Sequence, residues 1–158
     1  MRARGFTLTD LVVVIVIIGI LGVTILPRFA QRSTFDQVGF HDQVLSALQF
    51  ARKIAVASRR NVCVRATAAQ IIFLVDPQLP DGVTPNCTAA TDGAKVPLKI
   101  PGQTGSVLTP PSGAGITPSV AAAAFWFDPA GRPSATGINI QFVGAQRIFV
   151  ERETGYVH

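Results

Sequence analysis

The stretch that decides the fold of this chain is GFTLTDLVVVIVIIGILGVTILPRF, which runs from Gly5 to Phe29. Between residues 11 and 26 it carries no charged side chain, and the only residues there that are not large and apolar are Gly19, Gly22 and Thr24. As a helix, residues 6–26 would extend about 32 Å, close to the hydrocarbon thickness of a bilayer. The sequence therefore predicts a membrane-spanning helix at residues 6–27.

The residues around this apolar stretch indicate an anchor whose N-terminus stays in the cytoplasm. Arg2 and Arg4 precede the stretch, which agrees with the preference of basic residues for the cytoplasmic side. An ordinary secretory signal has a shorter apolar region that ends at a small-residue cleavage site, whereas Pro27, Arg28 and Phe29 follow here. We therefore expect no cleavage after the apolar stretch.

The residues just before the stretch point to a more specific kind of anchor. The sequence Gly5-Phe6-Thr7-Leu8-Thr9-Asp10 resembles the class III leader of type IV pilins and type II secretion pseudopilins. The resemblance implies that a prepilin peptidase cleaves between Gly5 and Phe6, removing residues 1–5, and that the new amino terminus on Phe6 is methylated. It also implies a helix softened at Gly19, Gly22 and Pro27.

Asp10 is the one carboxylate in the predicted span, and such a group in a membrane segment is costly and usually functional. The resemblance implies that it pairs with the N-terminal amine of a neighbouring subunit during assembly. The family normally has Glu at this position, and Asp is one methylene shorter. The alternative is a carboxylate near the interface that reaches the lipid headgroups and has no protein partner.

After Pro27 the sequence predicts that the helix continues as an amphipathic second half. Apolar residues recur there at helical spacing, at Phe40, Val44, Leu48, Ala51 and Ala55. We therefore predict one helix from about residue 7 to residue 58, kinked near Pro27, whose residues 28–60 pack on a sheet. Basic residues near its C-terminal end suit the helix dipole, namely Arg52, Lys53, Arg59 and Arg60.

Beyond the helix the period of the apolar residues changes to two, which is typical of strands. Residues 61–65 and 70–76 read as a hairpin, and residues 77–121 read as loops with a short strand at 96–100. Three further strands are predicted at 123–127, 138–143 and 147–152. The fold class is therefore α+β, a long N-terminal helix packed on an antiparallel β head at residues 61–158.

Three stretches beyond the predicted membrane segment make the resemblance more specific. Residues 45–64, 127–134 and 148–158 are similar to the pseudopilin H and FimT group, and the last two also to minor pilins of mannose-sensitive haemagglutinin (MSHA) pili. The function that the resemblance favours is that of a structural minor pilin of an MSHA-type pilus. The alternatives are a type II secretion pseudopilin H and a FimT-like DNA-binding minor pilin. The implied partners are other pilin subunits, the prepilin peptidase and the bacterial inner membrane, with a periplasmic head.

The two cysteines, Cys63 and Cys87, are expected to form a disulfide if the head is exported, because the periplasm is oxidising. The bridge would close a loop of about 25 residues and contribute about 3 kcal/mol in the chain-entropy model. Two separate thiols are the alternative. A metal or redox site is not expected, because the sequence has no C-x-x-C motif and only two His.

No residue pattern predicts an enzyme or a cofactor, since no nucleophile and base stand out together. The net charge of +5 is mild and does not by itself indicate nucleic acid. Some FimT-type pilins bind DNA through a Gly-Arg-x-Arg motif, of which Gly131-Arg132-Pro133-Ser134 keeps only the first half. Arg147 and Arg152 would have to join Arg132 in such a salt-dependent patch. We favour the alternative, a solvated Arg132 in a turn.

Overall fold

The structure is a computed structural model, and it describes residues 7–29, 32–78, 87, 93–112 and 115–158. The side chains of residues 23–34 are not among those described. The chain divides into two compact units, Met1–Phe35 and Asp36–His158. The predicted cleavage site at Gly5 and Phe6 lies outside the described residues, as does part of the predicted loop region, at residues 79–86, 88–92 and 113–114.

The first unit contains helix α1, Leu8–Phe29, which includes Pro27 in its last turn. Its described side chains, from Leu8 to Leu21, are exposed. Among the residues that the structure describes, no helix is both long enough and apolar enough to cross a membrane.

Helix α2, Arg32–Ser58, provides the apolar stripe that the sequence predicts. Phe40 is 4% exposed, and the other four members of the stripe are completely buried. The described helices α1 and α2 cover residues 8–29 and 32–58 of the range that the sequence predicts as one helix. The junction itself, residues 30 and 31, lies outside the described residues.

Helix α2 ends in a motif that usually requires glycine. Arg59 has a φ of 52°, the left-handed conformation, and the backbone N–H of Arg60 donates to the carbonyl of Ala55 at 3.2 Å. The N–H of Arg59 donates to the carbonyl of Val56 at 3.4 Å. These two bonds form a Schellman motif, which satisfies carbonyls at the end of the helix and turns the chain into the first strand.

The first sheet is antiparallel and contains five strands. They are β1 (Val62–Ala66), β2 (Ile71–Val75), β3 (Val96–Pro97), β4 (Val107–Leu108) and β6 (Phe125–Phe127). The order is β3-β2-β1-β6, and β4 also pairs with β2. The predicted hairpin is confirmed as β1 and β2, with Cys63 opposite Leu74. The strand predicted at 96–100 is present in shorter form as β3.

A second antiparallel sheet has the order β5-β7-β8, formed by Ile116–Pro118, Ile138–Phe142 and Ile148–Val150. The sequence does not indicate that the head divides into two sheets. Pro133 forms a single bridge with Phe127 beside β6. The backbone N–H of Ser134 next to it donates to the carbonyl of Trp126 at 2.9 Å, and β7 pairs with β5 and β8.

The strand predicted to start at Ala123 starts at Phe125, because Val120–Ala123 forms a short helix, α3. The Ser119 hydroxyl caps this helix by accepting a hydrogen bond from the backbone N–H of Ala122 at 3.2 Å. Ala is the best helix former, and a Ser N-cap completes a local start signal. Strands β4 and β5 fall within the predicted loop region and contain only two and three residues.

Helix α2 and both sheets share one hydrophobic core. Phe73, Phe125 and Phe127 are its largest fully buried side chains, and Phe125 and Phe127 meet edge to face with ring centroids 5.4 Å apart. Full burial of such a side chain contributes about 1.5–3 kcal/mol. The predicted α+β class, a helix packed on an antiparallel β head, is confirmed.

Candidate functional site

The first turn of α1 holds the carboxylate that the sequence singles out. The Asp10 Oδ2 atom accepts hydrogen bonds from the backbone N–H of Thr7 at 3.0 Å and from the Thr7 hydroxyl at 2.7 Å. In return, the backbone N–H of Asp10 donates to the Thr7 Oγ1 atom at 3.3 Å. Thr7 and Asp10 therefore form a capping box, in which the N-cap and the third helical residue satisfy each other's backbone donors.

This capping role of Asp10 is not among those predicted above. The signal was present, because Thr followed three residues later by an acidic residue before an apolar run is a helix-start signature. Asp10 is exposed, so its carboxylate can cap the helix and still face a neighbouring molecule. Its predicted partner is the N-terminal amine of a neighbouring subunit. Phe6, which would carry that amine in this chain, and the side chain of Pro27 lie outside the described residues.

The described part of α1 beyond Asp10 presents apolar side chains in all directions. From Leu11 to Leu21 every residue except Gly19 is apolar and large, and these side chains are 43–64% exposed. Soluble monomers rarely expose a continuous apolar surface of this kind. Large exposed apolar surfaces usually interact with a membrane or with other proteins. The exposed apolar side chains of residues 11–21 therefore make this segment a candidate interaction surface.

The two cysteines are joined in a disulfide, the alternative that the sequence analysis favours. Cys63 lies in β1, and its Cα atom is 5.6 Å from that of Cys87. Both residues are buried together with Leu74 in a small cluster separate from the main core, and Trp126 packs against it. Trp126 lies directly opposite Cys63 in β6. The bridge therefore holds one loop residue over the outer face of the first sheet.

Arg132 belongs to a turn organised by Asp128. The Asp128 Oδ1 atom accepts from the backbone N–H groups of Ala130 at 2.9 Å and of Arg132 at 2.8 Å. The Arg132 side chain is exposed. Gly131 in this turn has a φ of 80° and packs against Val56 of α2. This arrangement corresponds to the predicted alternative of a solvated arginine in a turn.

A second turn, residues 151–155, lies against the first. The backbone of Gly155 contacts the carbonyl of Gly131, and the Nε atom of Arg52 donates to the same carbonyl at 3.3 Å. Arg152 in the second turn is exposed, and its Nε atom lies 3.7 Å from a Glu153 carboxylate oxygen. The structure thus places Arg132 and Arg152 on adjacent turns beside Arg52.

Arg147 does not join this group. It precedes β8, whereas Arg152 follows it, so the length of the strand separates the two residues. The neighbouring loop residue Gly144 lies near Gln37, close to the start of α2, while Gly155 lies near Arg52 on its later turns. Arg52, which contacts the Arg132 turn, is not predicted from the sequence, because only the packing of two glycine turns on α2 brings them together.

The described residues offer no group of three or more His, Cys, Asp or Glu side chains that could hold a metal ion. One polar pair lies outside the turns already described. The His41 Nδ1 atom is 3.0 Å from the Asp42 Oδ1 atom on α2, and the His41 ring packs edge to face on Phe142.

A family model described as "Type II transport protein GspH" matches residues 42–152, which is more than half of the chain. The chain belongs to the GspH family. The matched range contains both cysteines and the Arg132 turn, and it includes most of α2 and the strands of both sheets.

Two individual proteins are similar to this GspH-family chain. The type IV narrow pilus major component PilA5 of Thermus thermophilus is 39% identical over 62 residues, which are 39% of this chain and 53% of the relative. The chain thus spans about half the length of that curated relative. The crystal structure of the minor pseudopilin EpsH from the type II secretion system of Vibrio cholerae has a TM-score of 0.51, with 13% identity, and covers 77% of this chain and 90% of that chain. At this identity the likeness shows the fold alone.

Proposed function

We propose that the chain is a structural minor subunit, a minor pilin or pseudopilin, of a type IV pilus-like filament. The observation that carries the proposal is the continuous exposed apolar surface of α1, which precedes a GspH-family head on the same chain. Such a surface requires cover, and in a filament the helices of neighbouring subunits supply it. Before assembly, the lipid of the inner membrane supplies it instead.

The proposed organisation follows the sequence. Residues 1–5 form the leader, residues 6–27 the membrane and assembly helix, residues 28–60 the amphipathic helix, and residues 61–158 a periplasmic head. The proposed span extends beyond the described side chains of α1 at both ends, and its sequence carries no charge between residues 11 and 26. The disulfide agrees with a head that reaches an oxidising compartment.

Two filament systems are the main candidates for this subunit, an MSHA-type pilus and a type II secretion pseudopilus. The resemblance of residues 127–134 and 148–158 favours an MSHA-type pilus, whereas the family model, described as a type II transport protein, favours a type II secretion pseudopilus. PilA5, in turn, is named as a pilus component. A FimT-like DNA-binding role has less support, because Arg147 lies at the other end of β8 from Arg152. Co-purification from cells that express pilins or pseudopilins would separate the first two.

The first test is the intact mass of the full chain, co-expressed with a prepilin peptidase and purified from membranes. We expect the mass to fall by that of Met1–Gly5 and to rise by one methyl group. A Gly5→Ala variant serves as the matched control, because the resemblance requires Gly at the cleavage site, and it should keep its full mass. An unprocessed wild-type chain in the membrane fraction would overturn the pilin proposal.

A second test addresses Asp10. Replacement by Asn preserves an oxygen that can accept the Thr7 hydrogen bonds but removes the charge, so helix capping should largely remain. If Asp10 pairs with an amine, we expect Asp10→Asn to reduce the chain recovered in sheared filaments at least tenfold, because an unpaired amine in an apolar interface is costly. Asp10→Glu should assemble like the wild type.

The control for this test is Thr7→Val, which removes the hydroxyl of the capping box and keeps the carboxylate. We expect it to assemble within a factor of about two of the wild type, because a lost cap costs only about 1 kcal/mol. If Asp10→Asn assembles normally while Thr7→Val does not, the carboxylate acts only as a helix cap.

A further inference from the structure

The outer face of the second sheet carries three exposed aromatic rings. Phe149 lies in the middle of β8, and Tyr156 and His158 belong to the segment that pairs with this strand. The residues that alternate with them point into the core shared with α2, so these three rings point away from it. Phe149 is 42% and Tyr156 56% exposed, and His158 is exposed as well.

The backbone fixes the positions of the three rings. The N–H of Phe149 donates to the carbonyl of His158 at 2.7 Å, and the N–H of His158 donates to the carbonyl of Phe149 at 3.1 Å. Between the other two aromatic residues, Val157 is 1% exposed, and its carbonyl accepts from the Gln49 Nε2 atom at 3.2 Å. Because side chains alternate along an extended segment, the buried Val157 directs Tyr156 and His158 outward. Rings held in this way lose little conformational freedom when a ligand binds.

The rings are nearly parallel and displaced sideways from one another. The centroids of Phe149 and His158 are 6.0 Å apart with an angle of 28° between the ring planes, and those of Tyr156 and His158 are 5.4 Å apart with an angle of 22°. Carbon atoms in direct contact lie about 3.5–4.0 Å apart, so rings at these larger distances overlap only in part. Each ring therefore leaves a portion of its surface uncovered by its neighbour.

The strands beside the rings add uncharged polar side chains to the same face. Asn139 lies opposite Phe149, and Thr117 lies opposite Gln141. The Asn139 Nδ2 atom donates to the carbonyl of Gly137 at 3.2 Å, which holds its amide in place. Thr117 and Gln141 are exposed. We call the six residues of this surface the aromatic face, namely Thr117, Asn139, Gln141, Phe149, Tyr156 and His158.

We propose that the aromatic face binds a β-1,4-linked glycan, whose sugar rings stack on Tyr156, His158 and Phe149. A sugar ring with equatorial substituents has C–H groups on its flat faces and hydroxyl groups around its rim. The C–H faces gain dispersion energy against aromatic rings, and the hydroxyls form hydrogen bonds with the side chains of Asn139 and Gln141. A β-1,4 linkage joins such rings into an extended ribbon, which fits the open face of a sheet.

The composition of the aromatic face favours a glycan over other ligands with flat or apolar groups. Single-stranded nucleic acid requires a positively charged groove beside the stacking rings. Here Arg147 and Glu151 lie two residues before and two residues after Phe149, so their charges balance. The buried centre of a protein interface is more apolar than the rest of the surface. The cross-strand neighbours of these rings are instead amides and a hydroxyl, which suit a ligand rich in hydroxyl groups.

The test is depletion of the protein from solution by insoluble polysaccharides. The full chain, purified in a detergent without a sugar headgroup, is mixed with particles of cellulose, chitin or purified peptidoglycan, which are β-1,4-linked glycans from different sources. Starch granules serve as the α-linked control. We expect at least one of the three β-1,4-linked glycans to bind about tenfold or more strongly than starch, because α-linked chains coil and do not present a flat ribbon of ring faces. Failure of all three to exceed starch would overturn the inference.

Aromatic variants locate the binding surface. Tyr156→Ala and Phe149→Ala should each weaken binding to the glycan about tenfold, whereas Tyr156→Phe should stay within a factor of about two, because it keeps the ring. The matched control is Phe35→Ala, which removes a ring that is 76% exposed and lies outside the head. It should bind like the wild type. Circular dichroism checks that each variant is folded, and folded alanine variants that bind like the wild type would overturn the inference.

A further variant and a further probe distinguish a glycan from the other ligands. Gln141→Leu preserves the size of the side chain and removes its hydrogen-bonding groups, so it should weaken glycan binding about threefold. Equal or tighter binding would mean that the contact there is apolar and would overturn the role of Gln141. Single-stranded DNA that binds at low salt and is lost in Tyr156→Ala, without any binding of the three glycans, would mean that the rings stack on bases instead.

This inference goes beyond the proposed function, and the two fail separately. The depletion measurement uses the purified chain and needs no filament. Absence of glycan binding from a chain that is processed and assembled overturns this inference and leaves the proposed function as it is. Glycan binding by a chain that is never processed would overturn the proposed function alone.

Discussion

Replacing Gly155 by alanine is expected to destabilise the head by about 3 kcal/mol, a large loss for a single methyl group. Gly155 has a φ of 64°, which costs a residue with a Cβ atom about 1 kcal/mol. In addition, the new Cβ atom would collide with the carbonyl oxygen of Gly131. That oxygen belongs to the backbone, and it also accepts the hydrogen bond from Arg52, so it cannot move aside without breaking a second contact.

The matched control is Gly137→Ala. Gly137 has nearly the same φ, 68°, but a Cβ atom there would have no neighbour within 4 Å. We expect it to lose only about 1 kcal/mol, because it suffers the backbone strain without the collision. Urea denaturation of the purified full chain in detergent measures both losses. Equal losses would mean that the contact between the two glycine turns contributes nothing to stability.

This contact explains why the sequence predicts part of the head and not the rest. The buried stripe of α2 and the β1–β2 hairpin depend on local periodicity, which can be counted in the sequence. The contact of Gly131 with Gly155 joins residues 24 positions apart through backbone atoms, and no side-chain pattern signals it. The same applies to β4 and β5, whose few residues become strands only through pairing with β2 and β7.

The candidate site likewise has some features that the sequence predicts and others that it does not. Asp10 stands out in the sequence because a lone carboxylate in an apolar run is conspicuous, and its capping partner Thr7 has a recognisable spacing. The separation of Arg147 from Arg152 depends on which end of β8 each residue occupies.

Removal of the disulfide is the other change from which we expect a large effect. The double variant Cys63→Ala/Cys87→Ala should lose about 3 kcal/mol of stability, because the unfolded chain regains the entropy of a loop whose ends are 24 residues apart. Alanine is preferable to serine here, since Cys63 is 3% and Cys87 6% exposed and a buried hydroxyl without a partner would add its own cost. Thermal unfolding of the full chain, with and without reductant, measures the loss.

Because the disulfide lies on one face of the first sheet, its effect on that face can be measured separately from its effect on the stability of the whole head. Trp126 is the only tryptophan of the chain, and it packs against the cluster of Cys63, Cys87 and Leu74. Reduction should therefore shift the Trp126 emission to longer wavelength at temperatures where the far-ultraviolet circular dichroism is unchanged, because the cover of the outer sheet face is released while β1, β2 and β6 stay anchored in the main core. Reductant should not change the double variant. If emission and circular dichroism change together, the bridge supports the whole head rather than one face of it.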